Sequence, residues 1–247
     1  MHILGIDIGG TGIKGAPVDL ENEDYLGERF RIPTPQPATP EAVAECVQQL
    51  VDHFNWKGPV GVGFPTVIVN GQAKAYGNMH KSWLNVQIDK LFEEKTGLPF
   101  TVINDADAAA LAEMRFGIGK DKKGLVAVIT VGTGIGSGLF YNGTLIPNFE
   151  LGRMQYKKKP IELYAANSAR KREGLSYEEW AERFDFFLKR LEIICTPDHY
   201  ILGGGISKHI GTFKHILTTK VPLVAAKTKN HAGLIGAAFA AMEASEK

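Results

Sequence analysis

The 247-residue sequence has few cysteines, little net charge and no long apolar run. Cys46 and Cys195 are the only cysteines and stand far apart, which argues against a disulfide framework and against a cysteine zinc cluster. The net charge of +1 provides no general attraction to nucleic acid or to membrane surfaces. No apolar stretch reaches the length of a membrane span, and Met1 leads almost directly into a predicted strand rather than a signal peptide. These absences predict a globular protein of the reducing cytoplasm.

Glycine, by contrast, is abundant and forms two related turns, at residues 7–15 and 130–138. An apolar, strand-like run precedes and follows each turn. Because glycine and threonine leave the backbone N–H groups and hydroxyls accessible, such a turn can approach a phosphate closely. Two of them on one chain suggest two lobes that close on a phosphate chain. Taken singly, each turn is equally consistent with an ordinary tight hairpin.

Other phosphate-binding glycine motifs do not match either turn. A Walker loop requires G-x-x-x-x-G-K-[ST] at the start of a helix, and this spacing is missing from both turns. The dinucleotide pattern G-x-G-x-x-G is also missing, and the first turn is followed by a predicted strand at residues 13–18. The two turns therefore indicate neither a P-loop protein nor a Rossmann protein.

The remaining periodicity predicts an α/β protein of two lobes. We expect an N-terminal lobe over residues 1–108, with a C-terminal helix at 232–247 packing back onto it, and a C-terminal lobe over 109–231. A helix starting at Pro40 has Thr39 as its N-cap. The predicted strands are residues 3–8, 13–20, 25–32, 60–64, 101–104, 125–131, 138–141 and 199–202. The predicted helices are residues 40–54, 84–95, 106–116, 167–192 and 232–244.

Five segments occur in the order found in the ROK sugar kinases: residues 7–15, 104–109, 130–138, 150–152 and 202–207. The chain is identified by this resemblance as a ROK-family sugar kinase. The resemblance implies the two-lobed sugar kinase/actin/Hsp70-like (ribonuclease H-like) α/β fold with a central cleft. Further segments are most similar to the polyphosphate glucokinases of that family: residues 63–65, Asn78, 81–83, 174–181 and 201–208. The implied activity is transfer of a phosphoryl group from polyphosphate, and from ATP, to the 6-hydroxyl of glucose, by a cytoplasmic homodimer.

The same resemblance assigns roles around the sugar. Asp105 matches the catalytic base that takes the proton from the sugar hydroxyl, although it could also cap the helix that follows it. Glu150 and Glu162 match two acidic residues that bind sugar hydroxyls through charge-assisted hydrogen bonds. Without the resemblance, a lone glutamate would be interpreted as part of a solvated surface. The substrate-binding residues implied in this way are Asn78, Asn104, Asp105, Glu150, Arg153 and Glu162.

The resemblance also implies a set of phosphate ligands. Asp7 would orient a Mg²⁺ ion through water, because Mg²⁺ keeps several waters and uses few protein carboxylates. Lys14 is either a direct phosphate contact or a solvated strand residue. The implied phosphate-binding residues are Asp7, Gly9, Gly10, Thr11, Lys14, Gly132, Thr133, Gly134, Gly204 and Lys208.

The chain departs from the family pattern in two places. Residues 153–161 contain no cysteine where many ROK proteins carry a zinc motif, so we expect no zinc. The family's Glu-x-Gly-His becomes residues 150–153 with Arg153 in the histidine position. That arginine is the best argument for a non-catalytic sugar-binding protein. A second alternative is an ATP-dependent kinase for another hexose or an amino sugar. ROK repressors carry a DNA-binding domain ahead of the first strand, so a repressor is not expected.

A long polyanion such as polyphosphate requires a positively charged track. Several lysines lie in or beside predicted loops, which we expect near the glycine turns. The alternative is a solvated basic surface without this role. The candidates are Lys120, Lys122, Lys123, Lys157, Lys158, Lys159 and Lys208.

Overall fold

The computed structural model describes residues 1–22, 24–25, 27–77, 79–228 and 232–246. The chain divides into two compact units. The first comprises Met1–Ala112 with Asn230–Lys247, and the second comprises Glu113–Lys229. Within the described ranges, no helix is both long and apolar enough to cross a membrane.

The strands of the first unit are β1 (His2–Ile8), β2 (Ile13–Asp19), β3 (Asp24–Tyr25), β4 (Phe30–Ile32), β5 (Val60–Phe64), β6 (Ile68–Val69), β7 (Gln72–Ala73) and β8 (Phe100–Asn104). A six-stranded sheet forms the centre of this unit, with the order β3-β2-β1-β5-β8 and β4 paired to β2. β1 is antiparallel to β2 and parallel to β5, which is parallel to β8. A separate short hairpin pairs β6 with β7, and a 3₁₀ turn covers Lys81–Trp83. The helices of this unit are α1 (Pro40–His53), α2 (Ile88–Thr96) and α8 (Ala232–Ser245), together with α3 (Asp105–Phe116), in which the second unit begins at Glu113.

Helix α1 begins as the sequence predicts. The Thr39 side chain accepts a hydrogen bond from the backbone N–H of Ala42, and Pro40 occupies the first helical turn. Val43, Val47 and Leu50 are fully buried on one face of the helix. This face belongs to the same apolar core as the buried residues of β1 and β5.

Small residues allow α8 to pack directly on the sheet. A Cβ atom at Gly5 of β1 would collide with the carbonyl of Leu234, and one at Gly61 of β5 would collide with the carbonyl of Ala237. Gly236 of α8 meets the backbone of Ala108 in the same way. The helix therefore lies closer to the strands than larger side chains would permit.

The second unit is built on a sheet of the same design. Its strands are β9 (Leu125–Val131), β10 (Ile135–Tyr141), β11 (Thr144–Ile146), β12 (Gln155–Tyr156), β13 (Lys159–Pro160), β14 (His199–Gly203) and β15 (Leu223–Ala225). The order of the sheet, β11-β10-β9-β14-β15, repeats that of the first unit, with an antiparallel hairpin followed by two parallel strands. This repetition agrees with an internal duplication. The helices of the second unit are α4 (Glu162–Ala165), α5 (Asn167–Arg172), α6 (Tyr177–Ile194) and α7 (Ile210–Phe213), with 3₁₀ turns at Leu151–Arg153, Gly205–His209 and Lys214–Ile216.

Aromatic side chains of α6 fill the core of the second unit. Trp180, Phe184 and Phe187 are fully buried, as the amphipathic pattern predicts. The indole of Trp180 donates to the carbonyl of Ala165 at 2.8 Å, which satisfies its one polar atom.

Four predicted elements are wrong in their extent. The strand predicted at 138–141 begins earlier, at Ile135, inside the segment assigned to the second glycine turn. In the other three, a residue with positive φ accompanies the error. The strand predicted at 25–32 is two short strands, β3 and β4, with Gly27 between them at φ +99°. The helix predicted at 84–95 starts only at Ile88, after Asn85 at φ +65°. The helix predicted at 167–192 is split into α5 and α6 by Gly174 at φ +65°. Neither a strand nor a helix can continue through such a backbone angle.

Candidate active site

The first glycine turn connects β1 to β2 and presents open backbone. The N–H of Gly9 donates to the carbonyl of Gly12 at 3.1 Å, which closes the turn. Gly10 and Thr11 at its tip are exposed, and a Cβ atom at Gly10 would meet nothing within 4 Å. Within the described ranges, the N–H groups of Gly10 and Thr11 donate to no protein acceptor. The tip can therefore offer two backbone donors to an anion.

Two side chains that the sequence did not indicate brace this turn. The guanidinium of Arg31 in β4 donates to the carbonyl of Thr11 at 2.7 Å, and the Thr34 hydroxyl donates to the carbonyl of Gly9. Arg31 reaches the turn because β4 pairs with β2, which places it opposite Lys14. The β2–β4 register is a long-range property that the sequence pattern does not contain.

Asp7 and Lys14 face each other beneath the turn. They are cross-strand partners in the β1–β2 ladder, and the Lys14 ammonium lies 3.3 Å from Asp7 Oδ2. The Asp7 side chain is 28% exposed, so the carboxylate remains accessible to solvent. Gly233, in the first turn of α8, lies close to Asp7, since a Cβ atom at Gly233 would be 3.4 Å from Asp7 Cγ. A negative charge next to the start of a helix is favourable.

The predicted base lies where β8 ends and α3 begins. Asn104 Oδ1 accepts from the N–H groups of Ala106 at 2.8 Å and Asp107 at 3.1 Å, so Asn104 caps α3. Its Nδ2 donates to the carbonyl of Thr66 at 2.9 Å. Asp105 is half-buried, and its Oδ1 accepts from the N–H of Ala106 at 2.8 Å. The capping role considered for Asp105 thus falls chiefly to Asn104.

The sheet of the first unit brings these groups to one edge. Asp7 is in register with Gly63 of β5, and Gly63 is in register with Ile103 of β8. Asp7 and the end of β8 are therefore two strands apart, or about 10 Å. This edge holds the carboxyl ends of parallel strands, where α/β proteins place their ligands. Asn78, predicted to bind sugar, lies outside the described residues.

The second glycine turn connects β9 to β10 in the same way. Gly132 N–H donates to Gly134 O at 3.0 Å, and Thr133 at the tip is exposed. Ser168 at the start of α5 supports the turn, since its N–H donates to Gly132 O at 3.1 Å and its hydroxyl to Thr133 O. Nothing in the sequence pattern distinguishes Ser168 from other polar residues.

The glycine loop after β14 lies beside this second turn. Gly204 has φ +77°, and a Cβ atom there would collide with the backbone of Val131, the residue before Gly132. Only glycine allows so close an approach at this backbone angle. Lys208 is exposed in the following 3₁₀ turn, so the structure places it near this edge of the sheet.

Glu162 is held against the second turn. Its Oε2 accepts from the N–H of Ile135 at 3.1 Å, and a Cβ atom at Gly134 would collide with the same oxygen. The absence of a side chain at Gly134 therefore makes room for the Glu162 carboxylate. This requirement explains why residue 134 is glycine better than a phosphate contact alone does.

The segment with Glu150 and Arg153 packs on the other side of Ile135. A Cβ atom at Gly152 would collide with the carbonyl of Ile135, and the N–H of Leu151 donates to Ser137 Oγ at 3.1 Å. Arg153 Nε lies 3.1 Å from Glu150 Oε2, and the two side chains are 49% and 31% exposed. The arginine that replaces the family histidine is therefore paired with Glu150 through Nε.

Acidic and metal-binding side chains do not form a ready-made metal cluster in the described part of the chain. No three His, Cys, Asp or Glu side chains there come together in a way that would hold an ion directly. A carboxylate that acts on a metal through water, as expected for Asp7, needs no such cluster.

Comparison with known proteins establishes the family. The ROK family model matches residues 3–149. The chain belongs to the ROK family. It is 43% identical over 242 residues to a polyphosphate glucokinase of Mycobacterium tuberculosis, an alignment that covers 98% of this chain and 91% of the relative.

Solved structures of ROK proteins share the fold. The inorganic polyphosphate/ATP-glucomannokinase of Arthrobacter sp. strain KM is 46% identical, with a TM-score of 0.89 over 98% of this chain and 99% of that chain. A ROK family glucokinase of Streptomyces griseus, solved with glucose and AMPPNP, is 24% identical, with a TM-score of 0.80 over 98% and 100%. The two-lobed α/β sugar kinase fold implied by the sequence is confirmed.

Proposed function

We propose that this ROK protein is a glucokinase that phosphorylates the 6-hydroxyl of glucose, with polyphosphate and ATP as donors. The observation that carries this proposal is the 43% identity to a polyphosphate glucokinase along nearly the whole chain. The Asn104-Asp105 pair beside the first glycine turn supports it further. A protein that only binds sugar has no need of a base at this place.

Asp105 is the proposed general base. Its carboxylate accepts the proton of the 6-hydroxyl while that oxygen forms a bond to the terminal phosphorus of the donor. The bond from this phosphorus to the bridging oxygen breaks, and the electron pair leaves with the shortened polyphosphate or with ADP. Because Asp105 is half-buried and its Oδ1 is held by the Ala106 N–H, the carboxylate has a defined orientation. Such a base contributes about 10²–10⁴ in rate.

Backbone and lysine groups are the proposed phosphate ligands. Phosphoryl transfer depends mainly on positioning and charge neutralisation, which backbone donors provide without reorganisation. In the first unit, the exposed Gly10 and Thr11 would supply them. In the second unit we assign this role to the turn at residues 132–134, to Gly204 and to Lys208.

Asp7 is the proposed holder of Mg²⁺. Its carboxylate lies at the edge of the sheet below the first turn and is open to solvent, so it fits an ion bound through water. Magnesium, when bound, neutralises charge on the phosphates. Lys14, 3.3 Å from Asp7, would keep the carboxylate in place. We expect the protein to hold no zinc, and stoichiometric zinc in chelator-washed protein would contradict this expectation.

Glu150 and Glu162 are the carboxylates that we propose to bind sugar hydroxyls. Asn104 and Asn78 are proposed to bind the sugar through their amides. A non-catalytic sugar-binding protein is the second candidate function, and Arg153 in the position of the family histidine is the observation that favours it. The Arg153–Glu150 ion pair occupies part of the hydrogen-bonding capacity of Glu150. A binding protein would show sugar binding by calorimetry without turnover of either donor.

We also propose a cytoplasmic homodimer. Both cysteines are free thiols, which suits a reducing compartment. The dimer follows from the family resemblance. Size-exclusion chromatography with light scattering tests the homodimer. A measured mass equal to that of one chain at assay concentration would contradict the homodimer.

A coupled assay tests the activity directly. Glucose and mannose are each supplied with long-chain polyphosphate or with ATP, with and without Mg²⁺. Mannose is included because the Arthrobacter relative is a glucomannokinase. Magnesium-dependent turnover of glucose with polyphosphate is expected. Turnover of glucose with ATP but not with polyphosphate would contradict the assigned polyphosphate donor. No turnover with any combination of sugar and donor would favour the non-catalytic binding protein.

A further inference from the structure

The hairpin formed by β12 and β13 has an unusual turn. Tyr156 pairs with Lys159, so the connecting loop consists of Lys157 and Lys158 alone. These two residues have φ of +49° and +62°. A two-residue hairpin loop with both φ values positive strongly prefers Asn-Gly, and lysine is strained at either position.

Folding offers no reason for lysine in this turn. The side chains of Lys157, Lys158 and Lys159 are exposed, and within the described ranges none of them forms an ion pair with a carboxylate. The Lys157 ammonium lies 5.2 Å above the Tyr156 ring, a weak contact at an exposed site. Three adjacent positive charges therefore stand at this turn, two of them on residues with positive φ, and no carboxylate in the described part of the chain pairs with them.

The base of the hairpin packs against α4, the helix that begins with Glu162. Tyr156 packs against Tyr164 and Phe186, with ring centroids 4.7 and 5.0 Å apart. The hairpin follows the 3₁₀ turn of Glu150 and Arg153 and precedes Glu162 in α4. Because Glu162 is four positions after Lys158 in the chain, their Cα atoms are at most about 14 Å apart. The lysine tip is thus linked by a short segment to Glu162, whose carboxylate contacts the second glycine turn at Gly134.

We propose that the Lys157–Lys158 tip, with Lys159, binds inorganic polyphosphate at phosphate groups beyond the one that is transferred. The inference rests on the proposed function, since it names a binding site for the proposed donor. A long polyanion held at the second glycine turn would pass three uncompensated ammonium groups there. ATP has no phosphates that extend so far, so the tip distinguishes the two donors.

The other predicted lysine group is less suited to this role. Lys120, Lys122 and Lys123 precede β9 and therefore stand at the opposite end of that strand from Gly132, about 20 Å away. The expectation that they lie near the glycine turns is wrong. Lys122 and Lys123 line a separate cavity of about 570 Å³ with His199 and two aspartates, which reduce its positive charge. This pair is a suitable charge-matched control.

Three double variants test the proposal. Lys157→Asn with Lys158→Gly removes both charges and suits the turn, whereas Lys157→Gln with Lys158→Gln removes the charges alone. Lys122→Gln with Lys123→Gln is the control. For each protein, calorimetry measures binding of long-chain inorganic polyphosphate at low and high salt, and steady-state assays give KM for polyphosphate and for ATP.

We expect both hairpin variants to bind polyphosphate roughly 2- to 30-fold more weakly at low salt, with a smaller salt dependence. Their KM for ATP should match that of the original protein, the Asn-Gly variant should have a higher Tm, and the control should bind normally. Unchanged binding in both hairpin variants would overturn the proposal, as would an equal loss in the control. Absence of polyphosphate binding to the original protein would do the same. If polyphosphate binds at the tip but is never consumed, the donor assignment fails and the binding site stands.

Discussion

Arg153 and Glu150 form an ion pair, with Nε and Oε2 separated by 3.1 Å. The resemblance to ROK sugar kinases implies a histidine at the position of this arginine. It also implies that Glu150, the partner of the arginine, binds a sugar hydroxyl. Neutral histidine can donate to a hydroxyl and is compact. Arginine is permanently charged and occupies a carboxylate oxygen that the sugar would use. The pair therefore competes with the proposed substrate.

Replacement of Arg153 by histidine should relieve this competition. We expect KM for glucose to fall and kcat/KM to rise by roughly 2- to 5-fold, since an exposed ion pair contributes about 0.2–1 kcal/mol. Steady-state kinetics with saturating donor measure the change. Arg172→His is the matched control, because it removes another exposed arginine that pairs with a glutamate, at 2.9 Å. Lower activity in Arg153→His would mean that the arginine is itself a substrate ligand.

Asp105→Asn should separate binding from catalysis. The amide keeps the shape of the carboxylate and cannot accept the hydroxyl proton, so we expect sugar binding to persist and kcat to fall by about 10²–10⁴. Calorimetry with glucose and a coupled assay give the two quantities. Asp121→Asn, in an exposed loop, controls for loss of a negative charge. Unchanged turnover in Asp105→Asn would remove this residue from the mechanism.

Glu113 joins two distant parts of the second unit. Its buried carboxylate accepts from the N–H groups of Ile118 at 2.7 Å, Lys227 at 2.9 Å and Thr228 at 2.8 Å, and from the Thr228 hydroxyl. Glutamine would present an NH₂ group to one set of these donors. We expect Glu113→Gln to lose about 2–3 kcal/mol of stability. Thermal unfolding should show a Tm lower by about 4–12 °C.

Glu182→Gln, at an exposed position of α6, is the control for this substitution and should leave Tm unchanged. A Glu113→Gln protein as stable as the original would show that the buried carboxylate network contributes little.

Asp185 should make stability dependent on acidic pH. Burial alone would raise its pKa, but hydrogen bonds from Thr218 and Lys189 outweigh this effect and lower the pKa of Asp185 below its ordinary value. A carboxyl with a lower pKa in the folded state stabilises the protein above the unfolded pKa of about 3.9. That stabilisation is lost as the pH falls through the folded value.

Urea unfolding should therefore show that the free energy of unfolding of Asp185→Asn is about 1–2 kcal/mol lower than that of the original protein near pH 7. The difference from the original protein should shrink as the pH falls below 4. A difference that is constant with pH would indicate that the loss comes from packing rather than from the charge.

Local signals in the sequence predicted much of the fold. Apolar runs on both sides of a glycine turn indicated the β1–β2 and β9–β10 hairpins, and Thr39-Pro40 indicated the start of α1. These features depend on neighbouring residues, so a single sequence contains them. The predicted extent was wrong where one left-handed residue, such as Gly27 or Gly174, interrupts an element.

Long-range contacts could not be predicted in the same way. Arg31 reaches Thr11 through strand pairing, Ser168 reaches the second turn from a helix, and Glu113 meets Thr228 across 115 residues of chain. Their side chains are ordinary for their local segments. Register and packing determine these contacts, and neither is visible in composition or periodicity.

We propose above that Asp105 promotes phosphorylation of glucose at its 6-hydroxyl with polyphosphate as donor. Nuclear magnetic resonance of a reaction that contains glucose, Mg²⁺ and long-chain polyphosphate as the sole phosphate source tests it most directly. We expect a phosphomonoester signal coupled to the C6 carbon to form with the original protein, and to form about 10²–10⁴ times more slowly with Asp105→Asn. A phosphomonoester on another carbon, no phosphomonoester, or equal rates for the two proteins would contradict it.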